Sequence, residues 1–139
     1  MPRFIMFIKP NIRDDQWDDL TPEGVERMMR FNEELSRAGA LLALDGLHPL
    51  SRGARVRFSG GGSTVLDGPF AEAKEVVGGY WIIQARTLDE AVEWARRVPA
   101  GEGDEIEVRR IQEMSDYSEE VQAVAHLSST PPQQTEASR

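Results

Sequence analysis

The stretch Phe4-Ile5-Met6-Phe7-Ile8 decides the fold. Five apolar residues in a row make a short strand with both faces in need of cover. Tyr80 to Ala85 repeats the pattern as a second two-faced apolar run. Everything between and around these two stretches has to supply the covering layers.

The first strand runs from Arg3 to Lys9. Asn11 to Leu20 is polar and acidic and reads as a loop with Trp17 in its middle. Thr21 is placed as a helix N-cap, with Pro22 at the first helical position. The helix extends to about Ala38, where Gly39 stops it. Val25, Met28, Phe31, Leu35 and Ala38 recur at helical spacing as its inward stripe. Leu41 to Leu44 reads as a second buried strand, broken by Asp45 to Pro49. Arg55 to Phe58 and Thr64 to Leu66 flank a glycine-rich turn, Ser59 to Ser63, which marks a hairpin. Asp67-Gly68-Pro69-Phe70 ends it, and Ala71 to Val77 is a loop or short helical turn. Thr87 and Glu90 form a capping box for a second helix with Leu88, Ala91, Val92 and Ala95 inward. Glu105 to Ile111 alternates as a last strand, Ile106 and Val108 inward. Residues 1–112 make one domain, and 113–139 form a C-terminal extension, partly helical over Ser115 to Leu127 and then disordered.

The order of elements is a ferredoxin-like α+β pattern, βαββαβ. Two helices cover only one face of such a sheet. The apolar residues of the other face then form an exposed patch unless a second layer meets them. The economical layer is the same face of a second copy, so a homodimer with two facing sheets is expected. The rival cover is the C-terminal segment folded back on its own sheet. A monomer in light scattering at micromolar concentration counts against the dimer.

Composition narrows the functional classes. The chain has 139 residues, 40% of them hydrophobic, which suffices for one core. With no cysteine there is no disulfide, no thiol nucleophile and no thiolate metal site, in keeping with a reducing cytoplasm. The apolar run behind Met1 is too short for a signal peptide or a membrane span. The net charge is −8, half of it carried by residues 113–139 with five acidic and one basic residue. That balance disfavours nucleic acid and anionic membranes as partners.

Val65-Leu66-Asp67-Gly68-Pro69-Phe70-Ala71-Glu72-Ala73-Lys74-Glu75, with Gly78-Gly79-Tyr80 after it, resembles the DGPF-type members of the YCII-related family. Phe31-Asn32-Glu33-Glu34-Leu35, Gly46-Leu47-His48-Pro49 and Asp89-Glu90-Ala91 agree in matching order, so the resemblance covers roughly Arg3 to Arg109. It implies a dimeric α/β-barrel of two ferredoxin-like subunits. It also implies small enzymes with a His/Asp pair in some members, and genes often adjacent to extracytoplasmic-function sigma factors in the DGPF branch. Arg110 stands where the family usually has proline, and the extension after Gln112 has no counterpart.

Asp67 is the first candidate for chemistry. At a strand end before Gly68-Pro69 it serves either as a general base or ligand acceptor, or as a cap for the following turn. His48 is its candidate proton partner, or a surface loop histidine. Lys74 is placed to hold an anion beside Asp67, or else to pair with a neighbouring carboxylate. Trp17 is a candidate lid, and Gly68, Pro69, Phe70 and Tyr80 complete the lining of a pocket. Asn32, near the buried stripe, needs a partner there and either orients a ligand or ties a strand end. Asp14, Asp15, Asp18 and Asp19 lack calcium-loop spacing and read as a solvated loop. Gly60-Gly61-Gly62 is not a phosphate loop, and Arg52, Arg55 and Arg57 make a basic edge. Three functions follow: a dimer binding a small polar molecule, a small cofactor-free acid/base enzyme, or a protein-interaction module.

Overall fold

In the computed structural model of the chain, residues 1–67 and 76–125 are described. Asp67 is described in its backbone only. The fold is α+β, with strands β1 (Arg3–Lys9), β2 (Leu41–Gly46), β3 (Ala54–Ser59), β4 (Gly62–Asp67), β5 (Gly79–Gln84) and β6 (Glu105–Arg110). The helices are α1 (Pro22–Arg37), α2 (Leu88–Arg96) and α3 (Glu119–Val124).

Four strands form one antiparallel sheet in the order β2-β5-β1-β6. The two apolar stretches β1 and β5 are therefore its central strands, as their two-faced pattern demands. Phe4, Met6, Trp81 and Ile83 alternate inward and pack with Phe31 and Leu35 of α1 and Ala91 of α2. Met6, Leu35 and Ile83 are fully buried. Ile106 and Val108 of β6 pack on the same core. The residues between them, Ile5, Phe7, Tyr80 and Ile82, belong to the opposite face and are only half-buried.

Helix ends follow their capping chemistry. Thr21 Oγ1 accepts from the Gly24 amide at 3.1 Å ahead of Pro22, and Gly39 leaves α1 at φ +72°. Thr87 accepts from the Glu90 amide at 3.1 Å, while the Glu90 carboxylate takes the Arg86 guanidinium. The hairpin turn is the pair Gly60-Gly61, φ +60° and +78°, the left-handed pair of a type I′ turn.

Four local expectations need correction. Leu41 to Leu44 is not a buried strand: β2 is an edge strand, Leu42 is the extra residue of a bulge against β5, and it is 47% exposed. The hairpin is no part of the main sheet either. β3 and β4 pair only with each other, as an insertion between β2 and β5. The helix stripes are narrower than periodicity suggests. Val25 and Ala38 of α1 stand exposed, as do Leu88 and Val92 of α2, while Trp94 and Ala95 pack on the core instead. Within the helical stretch expected over Ser115 to Leu127, the described residues form α3 only over Glu119–Val124, capped by Ser118, and residues 126–139 lie outside the described residues.

The extension is tied to β1. Arg3 Nε donates to Glu113 Oε1 at 2.6 Å and Arg3 Nη2 to Oε2 at 3.2 Å. This hydrogen bond with Arg3, ahead of the plain charge attraction, holds the Glu113 carboxyl below its ordinary range. A depressed carboxylate stabilises the fold above its unfolded pKa and loses that contribution as pH falls through its folded pKa. Glu113→Gln is therefore expected to flatten the acid limb of stability below the usual glutamate range, read as urea midpoints at several pH values.

Candidate functional site

Three segments meet at the end of the sheet where β1 stops. The amide of Gly78 donates to the Ile8 carbonyl at 2.7 Å, and the amide of Leu47 donates to the Gly78 carbonyl at 2.9 Å. The approach is close because residues 78 and 79 carry no side chain. A Cβ at Gly78 would stand 2.9 Å from Pro10 Cδ and 3.4 Å from Trp17 Cζ2. A Cβ at Gly79 would stand 2.9 Å from the Asp45 carbonyl oxygen. The glycine pair thus lets the acidic loop, the end of β2 and the start of β5 share one corner.

Trp17 is locked into this corner, its indole N–H donating to the Leu47 carbonyl at 2.9 Å. His48 follows directly. Arg52 Nη1 lies 3.0 Å from His48 Nδ1, and Arg52 Nη2 donates to Asp18 Oδ2 at 2.7 Å. A guanidinium only donates, so Nδ1 is the acceptor and the neutral ring carries its proton on Nε2. Asp14 Oδ1 accepts from the Ser51 amide at 3.2 Å, which closes the acidic loop over the turn after Pro49. Two of the four aspartates are thereby engaged in fixing the corner. Among the described residues no three of His, Asp and Glu converge as a metal-holding group.

Tyr80 borders the same corner on the open sheet face. It pairs with Asp45 across β2 and β5, and its hydroxyl donates to Asp45 Oδ2 at 2.7 Å. That hydrogen bond, helped by desolvation and the carboxylate charge, raises the phenol above its ordinary value. The protonated phenol stabilises the fold at all pH below its unfolded pKa, and the contribution is lost as pH rises through the folded one. The chain has two tyrosines. In an absorbance titration of tyrosinate, one step is expected above the normal phenol range, and Tyr80→Phe removes it.

The structure does not bring all the candidates together. Trp17, His48 and Tyr80 share the corner. Asn32 is on the other side of the sheet, where its Oδ1 accepts from Trp81 Nε1 at 2.8 Å. It ties the middle of β5 rather than a strand end. Asp67 closes the hairpin, its backbone opposite Ala54, which follows Arg52 by two residues. Gly68, Pro69, Phe70 and Lys74 lie outside the described residues. Arg52, Asp18 and Asp45 are the site residues that sequence reasoning missed. The available signal was the spacing of four between His48 and Arg52 across a turn opened by Pro49.

A model of the YCII-related domain matches residues 4–115. The chain belongs to the YCII-related family. The match ends within the turn that follows Glu113, so the YCII-related domain takes in the whole sheet, both longer helices and the inserted hairpin. An uncharacterised protein of Rhizobium meliloti (strain 1021) is 41% identical over 75 residues, which are 51% of this chain and 60% of that relative. The chain thus spans less than two thirds of the curated relative it matches. No helix among the described residues is long and apolar enough to cross a membrane.

Proposed function

We propose that this YCII-related protein is a homodimer that binds a small polar molecule at the corner formed by Trp17, His48, Arg52 and Tyr80, next to Asp67. One observation carries the binding reading. Polar side chains from three segments are already held in fixed orientations at one corner. Preorganisation of this kind is what a binding site needs and a solvated loop does not. The dimer is supported by the half-buried Ile5, Phe7, Tyr80 and Ile82 on the sheet face opposite the core. The strand order β2-β5-β1-β6 supports a ferredoxin-like subunit, and two facing sheets would make the barrel.

The acid/base alternative has less support. With Nδ1 occupied by Arg52, His48 presents an N–H on its other nitrogen, suited to donating to a ligand rather than to taking a proton from Asp67. A molecule held without turnover acts as a signal, which accords with the regulatory setting that the resemblance implies.

Thermal stabilisation tests the reading with a panel of small hydroxy-acids and dicarboxylates, whose anionic groups suit Arg52. A binder at 100 times its Kd stabilises by about 2.7 kcal/mol. Arg52→Ala and Trp17→Ala are expected to lose that shift. Equal shifts in wild type and both variants place the ligand elsewhere. For Asp67→Asn, the binding reading predicts stability within about 0.5 kcal/mol of wild type together with weaker binding. A loss of about 1–3 kcal/mol instead makes Asp67 a turn cap.

A further inference from the structure

Strand β6 is an edge of the main sheet, paired on one side only among the described residues. Its sequence, Glu105-Ile106-Glu107-Val108-Arg109-Arg110, is acidic at one end and basic at the other. Glu105 and Arg109 are exposed, and neither forms an ion pair among the described residues. The carboxylate between them, Glu107, is taken by Lys9 at 2.9 Å. Charges on an open edge usually repel a second strand. These are arranged to attract a copy of themselves. Laid antiparallel on its own copy about Glu107, the strand sets each Glu105 opposite the Arg109 of the other copy, and each Ile106 opposite its Val108.

The backbone fits the same register. The Ile111 amide donates to the Arg3 carbonyl at 2.8 Å. Hydrogen-bonded pairs alternate along an antiparallel ladder, so Glu105, Glu107 and Arg109 bond to β1. Ile106 and Val108 therefore turn their N–H and C=O groups to the open edge. Opposite one another in two copies, they exchange about four main-chain hydrogen bonds. Glu105 and Arg109 then fall in the pairs whose side chains stand closest, both on the open face of the sheet. A shift of two residues either way sets Glu105 against Glu107 or against Ile111.

The helix layer supplies the second observation. Leu88, Val92 and Ala95 of α2 line a groove of about 470 Å³ with Ile106 and Val108. Leu88 is 53% exposed. Leu88 and Val92 are four residues apart and form one ridge. A twofold axis through the β6 junction, normal to the sheet, brings the second α2 alongside at about 10 Å, a helix-packing distance. The ridge of each helix then fills the groove of the other. We infer that β6 is a self-pairing edge, through which two copies join into one continuous sheet with their α2 helices in contact. The open face of the sheet stays free, so the contact is separate from the face-to-face dimer proposed above. Together the two contacts make a dimer of dimers.

Light scattering of charge variants tests the inference. Glu105→Arg and Arg109→Glu each set like charges opposite one another, and each is expected to weaken self-association about tenfold. The chain with both changes is complementary again and is expected to associate as wild type does. Mixed together, the two single variants are complementary at both pairs, so they should associate more tightly than either alone. Leu88→Glu stands at the first position of α2, where a carboxylate suits the helix. It should weaken association too, and a contact through the sheet face would not feel it. Singles or Leu88→Glu that associate as wild type does, or a mixture no tighter than its parts, overturn the inference. A wild-type tetramer that falls to dimers in these variants upholds both contacts. A wild-type dimer that falls to monomers upholds the edge and removes the facing sheets. A wild-type dimer that none of the changes weakens removes the edge and leaves the facing sheets, and a monomer at every concentration removes both.

Discussion

Trp81→Ala is expected to lose about 3–5 kcal/mol of folding stability, read from urea unfolding with the midpoint as the primary quantity. Trp81 is buried in the centre of β5 and meets Phe31 edge-on, ring centroids 5.7 Å apart. Truncation removes its apolar area and leaves a cavity between α1 and the sheet. It also leaves Asn32 Oδ1 without the indole N–H that it accepts. The two contributions separate in a double-mutant cycle. Asn32→Ala leaves a buried indole N–H unpaired and should cost about 1–3 kcal/mol. Trp81→Phe keeps most of the ring and removes the donor. If the bond matters, the double variant is less destabilised than the sum of the singles by about 1 kcal/mol. An Asn32→Ala protein as stable as wild type would contradict this and return Asn32 to the candidate ligand groups.

The fold was legible where side-chain period and backbone chemistry coincide. The unbroken runs of β1 and β5 mark the two central strands of the sheet, one face of each packed on the core and the other half-buried. Thr21-Pro22 and Thr87 announce helix starts because the orphan amides there need acceptors. Edge and insertion were not legible. Leu41-Leu42-Ala43-Leu44 has the composition of a buried strand, yet its bulge at Leu42 and its edge position follow from pairing with β5. Nothing local to Arg55–Phe58 says that it pairs with β4 alone. Helix stripes failed in the same way, since Leu88 and Val92 obey the period while Trp94 takes the core place. At the corner, Trp17, His48 and Tyr80 were visible as unusual residues. Their hydrogen-bond partners Leu47, Arg52 and Asp45 come together only through the chain path, which the glycine pair permits.

That pair leads to the second large effect. Gly79→Ala is expected to lose about 2 kcal/mol, although alanine usually gains stability over glycine by about 0.4–1 kcal/mol through the unfolded chain. The backbone at residue 79 is in the extended region open to any residue, so strain in φ is not the cause. The cause is contact. The new Cβ would lie 2.9 Å from the Asp45 carbonyl oxygen and 3.3 Å from Gly46 Cα. Both are backbone atoms of β2, fixed by pairing with β5, and neither can swing aside as a side chain does. Relief requires β2 to move off β5 at its C-terminal end. That end carries Asp45, so the Tyr80–Asp45 bond should lengthen and the raised tyrosine step should fall back toward the ordinary phenol range. Gly78→Ala makes the contrast. Its clash is with the Pro10 ring, which is closed on the main chain, and with Trp17, so the strain falls on the acidic loop rather than on β2, and the change should show in Trp17 emission with the raised tyrosine step left in place. If Gly79→Ala matches wild type in both urea midpoint and tyrosine titration, the close approach is dispensable and the corner is built without it.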